Sequence, residues 1–185
     1  MKNVIFFLCV SISAHAQPEI QNFSLTNVAT NKPVSLDQFT GMAGVVVLFT
    51  ANECPYDNYY KDRMKLLIDS YAGKIQVLLI NSYDDPHESP EKMAIHYVNL
   101  NVPYLADKDQ SVMENFGARK SPEAFLLKPT NGKFIVLYSG AIDDNPQVAT
   151  DTKQNYLRYA IDKLLANQKT DYVNNRAMGC TIRRK

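Results

Sequence analysis

The residues of this sequence best suited to covalent chemistry are its cysteines. The 185-residue chain has three of them, Cys9, Cys54 and Cys180. Cys54 stands between the apolar run of residues 45–49 and a proline at position 55 that can open a helix. A thiol at a helix N-terminus gains thiolate character, because the free amide groups of the first turn carry partial positive charge. Cys54 is therefore the candidate nucleophile.

Two carboxylates stand close to Cys54 in the sequence, Glu53 and Asp57. Negative charge opposes ionisation of a thiol, whereas the helix N-terminus favours it, and the sequence leaves the balance between them open. The other interpretation of Cys54 is a small, inert hydrophobic residue packed under the helix. Its position at the start of that helix argues against this interpretation.

The first sixteen residues have the pattern of a secretion signal. Lys2 precedes the apolar residues 4–10, and Ala14-His15-Ala16 has the small residues that signal peptidase accepts. The apolar run is too short to span a bilayer. We therefore expect cleavage after Ala16, export to the periplasm or the extracellular space, and no membrane span.

Cleavage would remove Cys9 and leave Cys54 and Cys180 in a compartment where disulfides persist. Three arrangements are then open. Cys180 could resolve a sulfenic acid or mixed disulfide formed at Cys54, the two could form a permanent structural bridge, or they could stay free or pair with other molecules. A permanent bridge would close a long loop, which in the chain-entropy model stabilises the fold by roughly 4 to 5 kcal/mol.

Composition excludes several classes of partner. The chain has 20 Lys and Arg residues against 19 Asp and Glu residues, and loss of Lys2 brings the net charge close to zero. Neither nucleic acid nor an anionic membrane is therefore an expected partner. His87 and His96 lack the spacing of metal ligands, so we predict no metal and no cofactor.

The elements that must position Cys54 alternate between strand and helix. Residues 45–49 and 75–80 are apolar runs without polar alternation, typical of strands covered on both faces. A helical pattern runs between them from Pro55 to Gly73. Two strands joined by a helix predict a parallel pair with a right-handed crossover.

Weaker patterns complete the prediction. Residues 23–26 and 34–39 predict an N-terminal β-hairpin followed by a short helical turn, and residues 124–127 and 134–137 flank a turn sequence and predict a second hairpin. Further helices are expected at residues 91–100, 110–116 and about 153–165. The length suits one domain, residues 17–169, with a looser C-terminal tail, residues 170–185, that carries Cys180.

This order of elements resembles the thioredoxin superfamily over roughly residues 23–165. Residues 48–57, Leu-Phe-Thr-Ala-Asn-Glu-Cys-Pro-Tyr-Asp, look like the active-site segment whose usual form is F-W-A-x-W-C-x-x-C. Cys54 falls on its nucleophile and Asp57 on its second cysteine. Residues 121–127 are similar to the cis-proline segment, which makes Pro122 the expected cis-proline. The resemblance implies a substrate groove lined by Pro55, Tyr56, Asp57, Ser121 and Pro122.

Shorter motifs are similar to one branch of that superfamily, the exported redoxins of AhpC/TSA-like or TlpA-like type. Residues 132–133 and 138–144 look like the G-K and R-G-x-I-D-D elements of these proteins, and residues 179–183 resemble a G-C-x-I-K tail. The implied fold is α/β, a thioredoxin fold with a central mixed β-sheet flanked by helices and an N-terminal β-hairpin extension.

The resemblance implies a thiol-disulfide oxidoreductase that acts on protein or small-molecule thiols and disulfides, with Cys54 as nucleophile and Cys180 as its resolving residue. Asp57 departs from the pattern, because it abolishes the C-x-x-C pair. One alternative is a thiol peroxidase acting on peroxide, although Ala51 stands where peroxiredoxins place Thr or Ser, and Arg119 is not at the matching arginine position. The other alternative is a redox-silent binding module. No motif addresses the oligomeric state.

Overall fold

The computed structural model describes residues 17–96, 100–169 and 173–185. The predicted signal peptide, residues 1–16 with Cys9, lies outside the described residues. Among the helices of the described part, none combines the length and the apolar character needed to cross a membrane.

The described residues form eleven β-strands and four α-helices, joined by short 3-10 turns. In chain order they are β1 (Glu19–Ile20), β2 (Ser24–Asn27), β3 (Lys32–Ser35), β4 (Gly44–Phe49), α1 (Pro55–Tyr71), β5 (Ile75–Asn81), α2 (Pro90–His96), β6 (Tyr104–Ala106), α3 (Ser111–Phe116), β7 (Lys120–Ser121), β8 (Glu123–Thr130), β9 (Lys133–Gly140), α4 (Tyr156–Leu165), β10 (Val173–Asn175) and β11 (Cys180–Thr181).

One mixed sheet organises the chain. Its strands lie in the order β1-β9-β8-β4-β5-β6-β2-β3, and β10 also pairs with β9. Strands β4, β5 and β6 are parallel, as the helix between β4 and β5 predicts, whereas β8 and β9 form the predicted antiparallel hairpin beside β4. The N-terminal hairpin, β2 with β3, extends the sheet on the other side through β6.

Strand β4 lies at the centre of the core, and all six of its residues are buried. Val46 and Leu48 face a cluster that includes apolar residues of α1 and α4. Val45, Val47 and Phe49 face the opposite cluster, which includes residues of α3. Because side chains alternate along a strand, a covered strand needs apolar residues at every position. The end of β4, and with it the segment leading to Cys54, is thereby fixed in the core.

The last helix begins later than the sequence indicated. Helix α4 begins at Tyr156 and not near Lys153. The cause is Asp144, whose carboxylate accepts hydrogen bonds from the backbone N–H groups of Lys153 and Gln154 at 2.9 and 3.1 Å. These two residues are therefore held in a loop before the helix.

The described part of the C-terminal tail is not loose, contrary to our expectation. In what we call the C-terminal segment, residues 173–185, β10 pairs in parallel with β9, Val173 opposite Tyr138. Strand β11 pairs antiparallel with β7, Cys180 opposite Ser121. Backbone hydrogen bonds thus attach this segment to the domain at two places.

Two glycines allow the C-terminal segment to lie this close. Gly140 has φ +117°, and a Cβ there would stand 1.6 Å from the carbonyl oxygen of Asn175. A Cβ on Gly179 would stand 2.1 Å from the carbonyl oxygen of Ser121. A side chain at either position would push the segment away from the sheet.

Candidate functional site

Cys54 opens helix α1. It occupies the N-cap position with extended backbone, and Pro55 follows as the first helical residue. Proline suits this position, since its missing N–H would have no partner within the helix. Cys54 is only 4 % exposed. The sequence prediction for its location, after a core strand and at a helix N-terminus, is confirmed.

Cys54 is bonded to Cys180. The two sulfurs lie 2.04 Å apart, and the bridge joins residues separated by 126 positions. Of the three arrangements considered for these cysteines, the structure has an intramolecular disulfide and not free thiols. A bridge that cycles and a bridge that stays closed have the same geometry, so its role is a separate question.

The expected cis-proline is present, because the Ser121–Pro122 peptide bond is cis. The carbonyl oxygen of Ser121 lies 3.4 Å from the Sγ atom of Cys54. Ser121 and Pro122 are both buried, and β11 pairs along β7 at this point. Of the proposed groove residues, Pro55 is exposed and Tyr56 half-buried. The C-terminal segment therefore covers part of the surface where we placed a substrate.

Asp57, in the position of the missing second cysteine, is buried at 4 % exposure. Its Oδ1 accepts a hydrogen bond from the Thr50 hydroxyl at 2.6 Å, and its Oδ2 accepts one from the Ser121 hydroxyl at 2.7 Å. Burial raises the pKa of Asp57 to about 7, because desolvation outweighs these hydrogen bonds, and the nearby Glu88 carboxylate adds to the rise. The group can therefore exchange a proton near neutral pH.

Ser121 connects Asp57 to the bridge and to a tyrosine. Its hydroxyl is 3.1 Å from the Tyr83 hydroxyl. Either of these two hydroxyl groups can be the donor of this second hydrogen bond. The backbone carbonyl oxygen of Ser121 also contacts the sulfur of Cys54. Ser121 thus contacts both the Cys54 sulfur and the buried carboxyl group of Asp57.

We expect Asp57→Asn to flatten the pH dependence of stability between about pH 4 and pH 7. In that range the folded protein retains a proton on Asp57 that the unfolded chain has released, so the free energy of unfolding falls as the pH rises, by up to about 4 kcal/mol at 1.4 kcal/mol per unit of pKa. Urea unfolding of both oxidised proteins across this range measures the slope.

Other buried acids do not confuse this comparison. Burial also raises the pKa of Asp107, but Asp107 is present in both proteins and its contribution cancels. If the difference between the two stability curves is constant from pH 4 to pH 7, it reflects the changed hydrogen bonds alone. That outcome would show that Asp57 keeps an ordinary pKa.

Glu88, a buried carboxylate that supports the turn before Cys54, was not predicted from the sequence. It accepts hydrogen bonds from the backbone N–H groups of Asn52 and Glu53 at 2.8 and 2.9 Å, and from the side-chain amide of Asn81 at 2.7 Å. These bonds fix the chain between β4 and α1. Glu88 belongs to a polar loop whose composition predicts solvent exposure, so the sequence carried no signal for this role.

An ion pair holds α1 against the chain after β9. Arg63 of α1 lies 2.6 Å from Asp143, and the Tyr60 hydroxyl donates to the same carboxylate at 2.7 Å. Asp143 belongs to the motif at residues 138–144. Two residues of this motif thus have structural roles: Asp143 pairs with Arg63 of α1, and Gly140 allows the close approach of Asn175.

In the described residues, no group of three or more His, Cys, Asp or Glu side chains could hold a metal ion. His96 lines a cavity of about 50 Å³ together with Asp57 and Lys61. This cavity is large enough for a water molecule or two beside Asp57.

A β-α-β unit with a cysteine at the start of its helix, and a cis-proline facing that cysteine, define a thioredoxin fold, which confirms the predicted fold class. Among solved structures, a thioredoxin-like protein from Aeropyrum pernix has the same fold, with a TM-score of 0.56, 20% identity and coverage of 79% of this chain and 89% of its own. The AhpC/TSA family model matches residues 16–151, and the chain belongs to this family.

Two further structures are more similar to this chain. A hypothetical protein from Sinorhizobium meliloti is 26% identical, with a TM-score of 0.81 over 94% of this chain and 97% of that one. An uncharacterized conserved protein from Geobacillus kaustophilus is also 26% identical, with a TM-score of 0.83 over 92% and 93%. No curated protein matches the sequence. The family and the fold together support a thiol-based redox function in general.

Proposed function

We propose that this protein is a thiol-disulfide oxidoreductase whose redox pair is Cys54 and Cys180. The observation that carries the proposal is the disulfide itself, which places the cysteine at the N-terminus of α1 in a bridge beside the cis-proline. A helix N-terminus stabilises the thiolate that a reduced bridge would contain. Cys180 takes the place of the second cysteine that Asp57 replaced.

The surroundings of the bridge support exchange more than a purely structural role. Cys180 is half-buried whereas Cys54 is buried, so the Cys180 end of the bridge is the more exposed one. Asp57, with a pKa near 7, lies in the same turn of α1 as Cys54 and can hold or release a proton as the bridge opens and closes. A structural staple would require neither feature.

We expect the oxidised protein to convert a peptide dithiol to its disulfide, one equivalent per chain. Cys54→Ser and Cys180→Ser should each abolish this reaction, because either change removes the bridge. Mass spectrometry after alkylation measures both products. Arg184→Ala, at an exposed position of the same segment, is the matched control and should keep full stoichiometry.

Other outcomes would support other functions. A bridge that resists mild reductants and oxidises no dithiol would contradict the proposal and favour a structural staple in a redox-silent binding module. Consumption of hydrogen peroxide with a thiol reductant would favour the thiol peroxidase, which the AhpC/TSA family match makes the second candidate. Two observations argue against a thiol peroxidase. The hydroxyl of Thr50, the residue next to Ala51, donates its hydrogen bond to Asp57, and Arg119 is exposed, with its backbone N–H bonded to Glu123.

The compartment is part of the proposal. The signal-like pattern of residues 1–16 supports export after cleavage at Ala16, and an oxidising compartment is where a disulfide of this kind persists. The substrates we propose are protein or small-molecule thiols and disulfides.

A further inference from the structure

We propose that an incoming thiol bonds to the sulfur of Cys180 and that Cys54 is the sulfur that leaves. This assignment rests on the proposed oxidoreductase function and reverses the order suggested by the sequence, in which Cys54 meets the substrate first. Three features of the structure support it: the access to each sulfur, the stability of each leaving thiolate, and the surface beside the bridge.

Access favours Cys180. Cys54 is 4 % exposed, and the carbonyl oxygen of Ser121 lies against its sulfur at 3.4 Å. Cys180 is half-buried and lies in a segment whose neighbours, Met178 and Thr181, are exposed. Thiol-disulfide exchange depends on which sulfur the nucleophile can reach. A thiol can therefore approach Cys180 without displacing the start of α1.

The leaving thiolate is more stable at Cys54. Cys54 caps the 17-residue helix α1, whose N-terminus carries partial positive charge. Cys180 lies in the two-residue strand β11 and has no helix to stabilise its thiolate. A sulfur with the lower thiol pKa leaves faster. Three carboxylates oppose the helix. Glu53 is exposed to solvent, Glu88 is bound by two backbone N–H groups, and Asp57 has a pKa of about 7 and is partly neutral at neutral pH.

The surface beside the bridge has room for an incoming molecule. A pocket of about 170 Å³ lies next to the C-terminal segment and is lined by Pro122, Met178 and the exposed Arg176, among others. Two carboxylates line it as well: Asp143 is paired with Arg63, whereas Asp144 is exposed and offsets the charge of Arg176. What this surface offers a thiol is therefore space next to the C-terminal segment.

The exchange balances in two steps. A thiolate attacks the Cys180 sulfur, the Cys54–Cys180 bond breaks, and Cys54 leaves with the electron pair as a thiolate, while the incoming thiol and Cys180 form a mixed disulfide. A second thiolate then attacks the sulfur of the bound thiol and releases Cys180. Two thiols are oxidised to one disulfide, the bridge gains two electrons, and the two protons pass to Cys54 and Cys180.

Peptide mapping can locate the mixed disulfide. The oxidised full-length protein is mixed with glutathione, quenched by acid, alkylated and digested. We expect glutathione on the peptide containing Cys180 and the alkyl group on the peptide containing Cys54, in at least tenfold excess over the reverse pattern.

A matched pair of variants gives the same answer if the intermediate closes too fast to be caught. Cys54→Ser and Cys180→Ser are each converted to a mixed disulfide with thionitrobenzoate, and its release by glutathione is followed by absorbance. Near-ultraviolet circular dichroism checks that both fold. The adduct on Cys180 should react at least tenfold faster than the adduct on Cys54.

The possible failures can be told apart. Glutathione found on Cys54, or equal release from the two variants, would overturn this assignment and leave the oxidoreductase function in place. A wild-type bridge that reacts with no thiol would overturn both.

Discussion

Reduction of the Cys54–Cys180 bridge is expected to lower the free energy of unfolding by about 4 to 5 kcal/mol. The bridge spans 126 positions, and in the chain-entropy model a loop of that length restricts the unfolded chain by this amount. Urea unfolding of the oxidised and the reduced wild-type chain, followed by circular dichroism, measures the difference. It is the largest effect on stability that we expect from any single change.

Serine variants show how much of this stability comes from the covalent disulfide bond and how much from the packing of the sulfur atoms. Cys180→Ser should destabilise the oxidised protein about as much as Cys54→Ser/Cys180→Ser, because either change opens the same loop. A loss below about 1 kcal/mol on reduction would contradict the prediction. It would mean that the unfolded chain gains little freedom when the bridge opens.

This stabilisation has a counterpart in the redox equilibrium. Because folding and bridge formation are linked, the bridge should form more readily in the folded protein than in the unfolded chain, by the same free energy. At 1.4 kcal/mol per factor of ten, this is roughly three orders of magnitude in the equilibrium constant of bridge formation.

Ile182→Ala is expected to make the bridge at least about tenfold easier to reduce. Ile182 is 4 % exposed and packs in the same apolar cluster as α3. Replacing such a buried side chain costs about 2 to 5 kcal/mol. In the oxidised protein the closed bridge keeps the C-terminal segment docked, so the substitution destabilises this form by the full amount. The reduced protein can release the segment and is destabilised less.

The fraction of closed bridge in a series of dithiothreitol buffers, read by alkylation and mass spectrometry, measures this shift, which is about 30 mV for a factor of ten. Arg184→Ala is the control, since Arg184 is exposed in the same segment. An unchanged equilibrium in Ile182→Ala, with lowered thermal stability, would show that the segment stays docked after reduction.

Gln110 fixes the end of the segment beyond Ile182. Its side-chain amide donates to the carbonyl oxygen of Arg183 at 2.8 Å, and its side-chain oxygen accepts from the backbone N–H of Lys185 at 2.9 Å. Gln110 is itself 3 % exposed, so these bonds are shielded from water. Cys180 is thus held from both sides, by Ile182 and Gln110 after it and by the strand pairing of β10 before it.

The sequence was sufficient to predict the central fold, because strong patterns encode it. The apolar run before Cys54, the helix that Pro55 opens, and the turn at residues 129–132 each have a local cause. The location of Cys54 and the cis bond before Pro122 came from motifs that resemble a known superfamily. These predictions agree with the structure.

The parts that the sequence did not predict depend on contacts between distant residues. Asp57 looked like a groove residue, and only its burial beside Thr50 and Ser121 explains its raised pKa. Glu88 looked like a loop residue in solvent. The start of α4 moved because the Asp144 carboxylate binds the backbone before it. None of these contacts has a periodic signature along the chain.

The motif at residues 179–183 resembles a redoxin tail, and it also carries a structural signal of its own. Gly179 permits the backbone to touch Ser121, Cys180 forms the bridge, and Ile182 fills the core. Cys180 and Ile182 are two residues apart, so in a strand their side chains lie on the same face. Such a reading would have predicted an ordered segment in place of a loose tail.

The pairing of β9 also bears on solubility. Its outer edge is covered by two short strands, β1 near one end and β10 at the other. An uncovered sheet edge presents free N–H and C=O groups that pair readily with another molecule and promote aggregation. A segment that leaves after reduction would expose the backbone of residues 138–140. The closed bridge therefore keeps this edge covered, and we expect the oxidised form to be the one better protected against self-association.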